Sequence, residues 1–225
     1  EEIVAEIRNA SSSEIEINTR VGAYFAVNGN SSDKSGFMII RVSGSPNAVF
    51  NTSATPIATY SGSNNGDAEN EWTEANNGDS IAMTGGTWAD GILSLDGVDD
   101  MLTLPLSGAK SVTVRMKIYD DYAVTRKNAY IFDCRPTSTA YLLNYDKIDY
   151  VGNGATVYAG TKPFVKTTTG FATNVSVEKW ITYTIVFNSV YTGNMVIGAH
   201  NSGENDFVKA DIEEIKVYDT DITTG

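Results

Sequence analysis

The sequence is poor in the residues that build covalent and metal frameworks. Its 225 residues include one cysteine and one histidine. Cys134 alone excludes an intrachain disulfide framework and a thiolate zinc cluster, and His200 alone excludes a site made of several histidines. Cations are also few: 16 Lys and Arg stand against 28 Asp and Glu, a formal net charge of -12. Polyanion affinity rests on basic side chains neutralising phosphates, so nucleic acid is a poor partner, and an anionic membrane surface is disfavoured for the same reason. No apolar run reaches the roughly 20 residues that span a bilayer, and no membrane insertion is expected. The longest runs, residues 36–42 and 184–187, are strand-sized. A start methionine and an apolar leader are missing at Glu1, and the expectation is a processed or excised piece.

Helical periodicity is missing too. Ser, Thr, Asn and Gly punctuate the chain at short intervals, and the segments between them alternate or run β-branched. In SVTVRMKI (residues 111–118), Val112, Val114, Met116 and Ile118 share one face, and Ser, Thr, Arg and Lys share the other. That is a half-buried antiparallel strand. KWITYTIVF (179–187), NMVI (194–197) and IEEIKVY (212–218) read the same way, with Trp180 assigned to the core. The fold class expected is all-β, a two-sheet antiparallel sandwich or jelly roll with an additional N-terminal β segment. Residues 61–79, SGSNNGDAENEWTEANNGD, are polar and Asn/Gly-rich and read as a long loop or linker. They divide the chain into an N-terminal β-rich segment, 1–62, and a sandwich, 63–225. Strands are expected in the first part at 3–7, 14–18, 21–27 and 37–42.

Four landmarks then carry a family resemblance. SLDGVDDMLTLP (94–105) is similar to the opening strand pair of laminin-G-like domains of the concanavalin-A-like superfamily, with Met101 in place of the usual aromatic. Gly85-Gly86-Thr87-Trp88 looks like the family's entry segment. VEKWITYTIV (177–186) is similar to its tryptophan-led strand, and DIEEIKVYDTDI (211–222) to its closing strand. The likeness spans roughly residues 66–225. It implies a jelly roll, and it implies a structural calcium between early and closing strands, with Asp96, Asp99 and Asp211 as ligands and Asp100 in reserve. Residue chemistry agrees in kind, since calcium takes six to eight hard oxygens, although Asp also favours turns without any metal.

Because the superfamily contains retaining glycosidases, the carboxylates bear on whether this chain is an enzyme. Those enzymes hold two carboxyl groups about 5–5.5 Å apart on rigid strands. The nearest spacing here is Glu69, Glu71 and Glu74, in a segment read as loop, so a hydrolase is not expected. His200 reads as a loop residue and Cys134 as a small buried hydrophobe. Sugars pack their C–H faces on aromatic rings and bond their hydroxyls to Asn, Asp and backbone groups. AYLLNYDKIDYVGN (140–153) reads as a hairpin that gathers Tyr141, Asn144, Tyr145, Asp146, Asp149 and Tyr150, with Tyr122 and Trp88 as further candidates. The function expected is a non-catalytic, lectin-like adhesion module. It would bind a cell-surface glycan or polysaccharide and be displayed extracellularly, on a cell surface or on a virion such as a phage tail. The alternatives are an assembly domain contacting other chains of a larger structure, and a glycoside hydrolase.

Overall fold

The β-branched and alternating segments form strands wherever one face can be buried. The computed structural model describes residues 24–29, 36–41, 48–64, 71–75, 80–119, 128–145, 148–164, 166–167, 170–171, 178–200 and 206–223. For 24–29, 36–41, 64, 128, 143–145, 148–150, 166–167 and 170–171 it describes the backbone alone. Contacts divide the chain into two compact units, Glu1–Asn47 and Ala48–Gly225. The first unit contains an antiparallel pair, β1 (Tyr24–Gly29) and β2 (Gly36–Arg41), with Tyr24 opposite Arg41 and Gly29 opposite Gly36. These match the strands expected at 21–27 and 37–42. Those expected at 3–7 and 14–18 lie outside the described residues.

The second unit is an antiparallel β-sandwich. In chain order it comprises β3 (Ala58–Ser61), β4 (Glu71–Thr73), β5 (Ser80–Thr84), β6 (Thr87–Ala89), β7 (Ile92–Asp96) and β8 (Met101–Ile118). Then follow β9 (Asn128–Asp133), β10 (Tyr141–Tyr145), β11 (Ile148–Val151), β12 (Ala155–Ala159) and β13 (Lys162–Pro163). The last are β14 (Lys166–Thr167), β15 (Gly170–Phe171), β16 (Trp180–Ile197) and β17 (Lys209–Tyr218). β8 and β16 pair along both halves, from Trp180 opposite Lys117 to Ile197 opposite Leu102. One half of this ladder is flanked by β17, which carries β3 and β7, and by β12. The other half is flanked by β5 and by β9, from which the sheet continues through β10, β11 and β15 to β14. The two sheets therefore share two bent strands. Register shifts between Val186 and Tyr191 and between Tyr191 and Gly193 mark the bend in β16, and Gly108, at φ 72°, marks it in β8. Bulges and glycines are the usual devices for turning a strand from one sheet into another.

Both halves face one hydrophobic core. Val112, Val114, Met116 and Ile118 are buried, as their period of two predicts, and Leu102, Leu104 and Leu106 from the other half of β8 join them. Side chains of this size contribute about 1.5–3 kcal/mol each when fully buried. Residues 187–197, read from sequence as strand end, turn and new strand, instead continue β16. Tyr191 is buried opposite Ala109 and holds the bulged stretch in the ladder.

Three expectations are corrected. Residues 61–79 are not simply a linker: β4 pairs with β5, and Trp72 is fully buried, with edge contacts to Tyr60 at 6.5 Å and Trp88 at 5.1 Å. The alternation in Glu71-Trp72-Thr73-Glu74 is a strand pattern that the surrounding Asn and Gly concealed. The division of the chain falls after Asn47 rather than at residue 62, because β3 pairs with β17 and the Ala48 and Asn51 amides bond Thr161 and Ile222 carbonyls. Trp180 is not a core residue. It lies on the face opposite to buried Tyr183, Ile185 and Phe187, half-buried beneath the Arg115 guanidinium at 5.7 Å.

Trp72 gives the fold its first test. Trp72→Ala leaves a cavity between Tyr60 and Trp88 and is expected to cost about 3–5 kcal/mol in urea unfolding. A loss under about 0.5 kcal/mol, normal for a loop surface residue, would return residues 61–79 to the linker reading.

Candidate functional site

Among the described residues, a dense cluster of interacting polar and aromatic side chains forms where β9 ends and β10 begins. Cys134 and Ala140 close the intervening loop through the Cys134 amide and the Ala140 carbonyl at 2.9 Å, and the Ser138 amide bonds the Cys134 carbonyl at 3.0 Å. Within that loop Arg135 folds back on Asp133. The Asp133 Oδ1 accepts the Arg135 amide and Nε, both at 2.9 Å, and Oδ2 accepts Nη2 at 2.8 Å. Asp133 is fully buried, whereas the Arg135 side chain is 34% exposed. The guanidinium lies over the Tyr130 and Tyr141 rings, 4.8 Å from each centroid, and those rings meet edge-on at 6.2 Å. His200, from the turn after β16, packs edge-on against Tyr130 at 5.0 Å, with its Nε2 3.9 Å from the Asp133 carboxylate.

Charge and burial set the electrostatics of this platform. The Asp133 carboxylate foremost, and Tyr130 as well, hold the Arg135 guanidinium more firmly protonated than usual. Burial raises the Tyr130 phenol above its ordinary value, against the opposing pull of Arg135. Burial likewise pushes the Cys134 thiol up to about 12, which makes it the inert small hydrophobe expected from sequence. The neighbouring hairpin fits tightly: a Cβ on Gly152 would meet the Thr139 carbonyl at 1.7 Å and the Tyr141 ring at 2.6 Å. Glycine there lets the Tyr141 ring lie against the backbone.

The expected hairpin exists, with β10 paired to β11 and Asn144 opposite Asp149. Of its candidate residues, Tyr141 enters the platform. Asn144, Tyr145, Asp149 and Tyr150 are placed by their backbones alone, and Asp146 and Tyr122 lie outside the described residues. Trp88 is half-buried and packs against the core, its ring edge-on to Trp72 at 5.1 Å and away from the Arg135 platform. Tyr130, Asp133, Arg135 and His200 were missed. The one available signal was IFDCRP, where an Asp and an Arg two residues apart end a strand.

A second polar face runs across the other end of the ladder. Register aligns Trp180, Lys117, Asp211, Ser94 and Thr87 in one row over β16, β8, β17, β7 and β6. Within that row the side chains bond one another: Asp211 accepts the Ser94 hydroxyl at 2.7 Å and the Tyr119 hydroxyl, and Lys117 donates to the Tyr119 oxygen at 3.1 Å. It is a self-satisfied surface.

The chain matches no family model and no curated protein. Among solved structures it is similar to one titled "Crystal structure of HCR/D F1240A mutant", with a TM-score of 0.46 and 13% identity over 76% of this chain and 48% of that one. The chain thus spans about half the length of that structure.

The acidic turn after β7 brings together part of the expected metal set. Carboxylate oxygens of Asp96, Asp99 and Asp100 lie within 4.8 Å of one another. Asp211 is not in that group; its carboxylate is engaged by Ser94 and Tyr119. The turn also uses its own acids. Asp96 Oδ1 accepts the Val98 amide at 2.6 Å, and buried Asp100 accepts the Asp96 amide at 2.8 Å. The donors suit a hard cation in type, but three residues fall short of its usual six to eight oxygens, leaving the rest to carbonyls or water.

Asp100 makes the pH behaviour of this turn testable. Desolvation, opposed by the Asp96 and Gly86 amides, raises its pKa above 3.8. A carboxyl group whose folded pKa is raised binds protons more tightly in the native state, so stability falls as pH rises from 3.8 towards the raised value. The stability difference between wild type and Asp100→Asn, from urea unfolding, is therefore expected to favour wild type more at about pH 3 than at about pH 7. An unchanged or opposite difference would show that the amide bonds outweigh burial.

Proposed function

We propose that the second unit is a laminin-G-like, non-catalytic glycan-binding module, displayed on a cell surface, a secreted protein or a particle. The observation that carries this reading is the Tyr130–Arg135–Tyr141 platform, in which a fully buried carboxylate fixes an arginine side chain, 34% exposed, over half-buried Tyr141 and buried Tyr130. A saccharide needs such a combination: ring surface for its C–H face and fixed donors for its hydroxyl oxygens. The guanidinium has more N–H donors than Asp133 and Tyr130 use. Holding it in place before the ligand arrives lowers the ordering cost of binding. Such a site is weak singly and gains avidity when the module is repeated along an assembly.

A glycan array read against the intact chain tests the proposal, followed by titration calorimetry on the best binder. Tyr141→Ala and Arg135→Ala are each expected to weaken binding about tenfold, equal to about 1.4 kcal/mol. Binding that survives both substitutions unchanged would remove the platform from the site, and absence of binding to any glycan would leave the assembly-domain reading.

Calcium at Asp96, Asp99 and Asp100 is a separate part of the proposal, supported by their shared 4.8 Å neighbourhood. About 1 mM calcium, the range of weak extracellular sites, is expected to raise the thermal unfolding midpoint, and Asp99→Ala is expected to abolish the rise. A midpoint that is the same in calcium and in chelator would end it.

A further inference from the structure

We infer that the platform selects an uncharged saccharide, presenting adjacent hydroxyl groups to Arg135, and that buried Asp133 is the positioning residue that sets this selectivity. The inference rests on the glycan-binding reading above and adds the chemical class of the ligand.

The charge balance around the guanidinium decides it. An arginine that recruits an anion does so as an unspent positive charge, and its fork then closes bidentately on carboxylate, sulfate or phosphate. Arg135 has closed that fork on Asp133, through Nε at 2.9 Å and Nη2 at 2.8 Å. Burial of the carboxylate strengthens the cancellation, because a fully desolvated charge is screened little by water or salt. A second acid, Asp206, abuts the same cluster: its carbonyl accepts the Tyr130 amide at 3.0 Å, and its charge acts on the Tyr130 phenol. One buried carboxylate thus closes on the guanidinium, within a chain of formal net charge -12. An anionic ligand entering here meets no net positive field, while the remaining guanidinium N–H groups still suit neutral oxygen acceptors. The half-buried Tyr141 ring is the aromatic surface that suits the apolar C–H side of an unsubstituted sugar, Tyr130 being buried behind it. The site offers fixed hydrogen-bond donors whose positive charge is already balanced by Asp133.

The test uses the intact chain and a panel of neutral oligosaccharides, each paired with a sulfated or uronate-bearing counterpart of the same linkage. Neutral members are expected to bind at least about tenfold tighter than their acidic partners. Their affinity should change less than about twofold between low and physiological salt, because no long-range attraction is at work. Wild-type protein suffices for this measurement, so it stands even where a substituted chain fails to fold. Tighter, salt-sensitive binding of the acidic members overturns the inference while leaving glycan binding intact. Failure of both sets to bind overturns the glycan-binding reading and this inference with it. Asp133→Asn, checked for an intact fold by circular dichroism, is expected to move the acidic-to-neutral preference towards the acidic members by about tenfold. A substitution that only loosened the loop would weaken both sets alike, and that result would overturn the role given to Asp133.

Discussion

Two 18-residue strands, β8 and β16, pair with each other from one sheet into the other, and the sandwich is arranged around that ladder. A strand buried on one face in each of two sheets must present apolar side chains inward on both sides of its bend. β8 does so with Leu102, Leu104 and Leu106 before Gly108 and with Val112, Val114 and Met116 after it. A one-residue slip would turn either set outward, so the bend and the register specify each other. The pairing joins segments far apart in sequence, and their contacts form only after a long loop has closed. Local propensity supplies the strands, and the ladder supplies their arrangement.

The platform inherits its rigidity from the same ladder. Asp133 ends β9 opposite Val196 of β16 and opposite Tyr141 of β10. Its carboxylate is therefore anchored by backbone pairing on two sides before it holds Arg135. His200 leaves the end of β16, where the Gly198 amide bonds the Ile131 carbonyl at 3.1 Å. A site made of one loop would fluctuate with that loop, whereas here the rings and the ion pair are tied to strands on either side.

Legibility followed periodicity. Alternation over 111–118 exposed an inner strand of the sandwich, because a face buried against a core leaves a period of two; over 212–218 that period is broken by the register shift between Ile212 and Glu214, which puts Ile212 and Ile215 on the buried face three residues apart. The same rule places Trp180 on the face opposite to Ile181 and Tyr183, so opening an alternating strand with those residues behind it does not put it in the core. Residues 71–74 were obscured because a three-residue strand is too short to establish a period, and its one strong signal, Trp72, sat among turn-forming residues. In the site, Tyr141 was readable from the density of aromatic and amide side chains in its hairpin. Asp133 and Arg135 were not, because what joins them to Tyr130 and His200 is cross-strand register and the return of β16, which no local window contains. The resemblance-based metal set failed at Asp211 for a related reason: matching its strand did not reveal that Ser94 and Tyr119 engage its carboxylate.

The Asp133–Arg135 pair is hard to explain as a contribution to the fold. Desolvating a carboxylate costs several kcal/mol even when it is paired, and apolar replacements for buried ion pairs are often neutral or stabilising. The adjoining core is already continuous through Ile131, Phe132, Cys134 and Leu142. What the pair provides instead is orientation: Asp133 contacts the Arg135 amide, Nε and Nη2, leaving the guanidinium little freedom to leave the tyrosine rings. Orientation at a half-exposed position does little for a core. The burial of Asp133 therefore goes into fixing a partly exposed guanidinium over the rings rather than into internal packing.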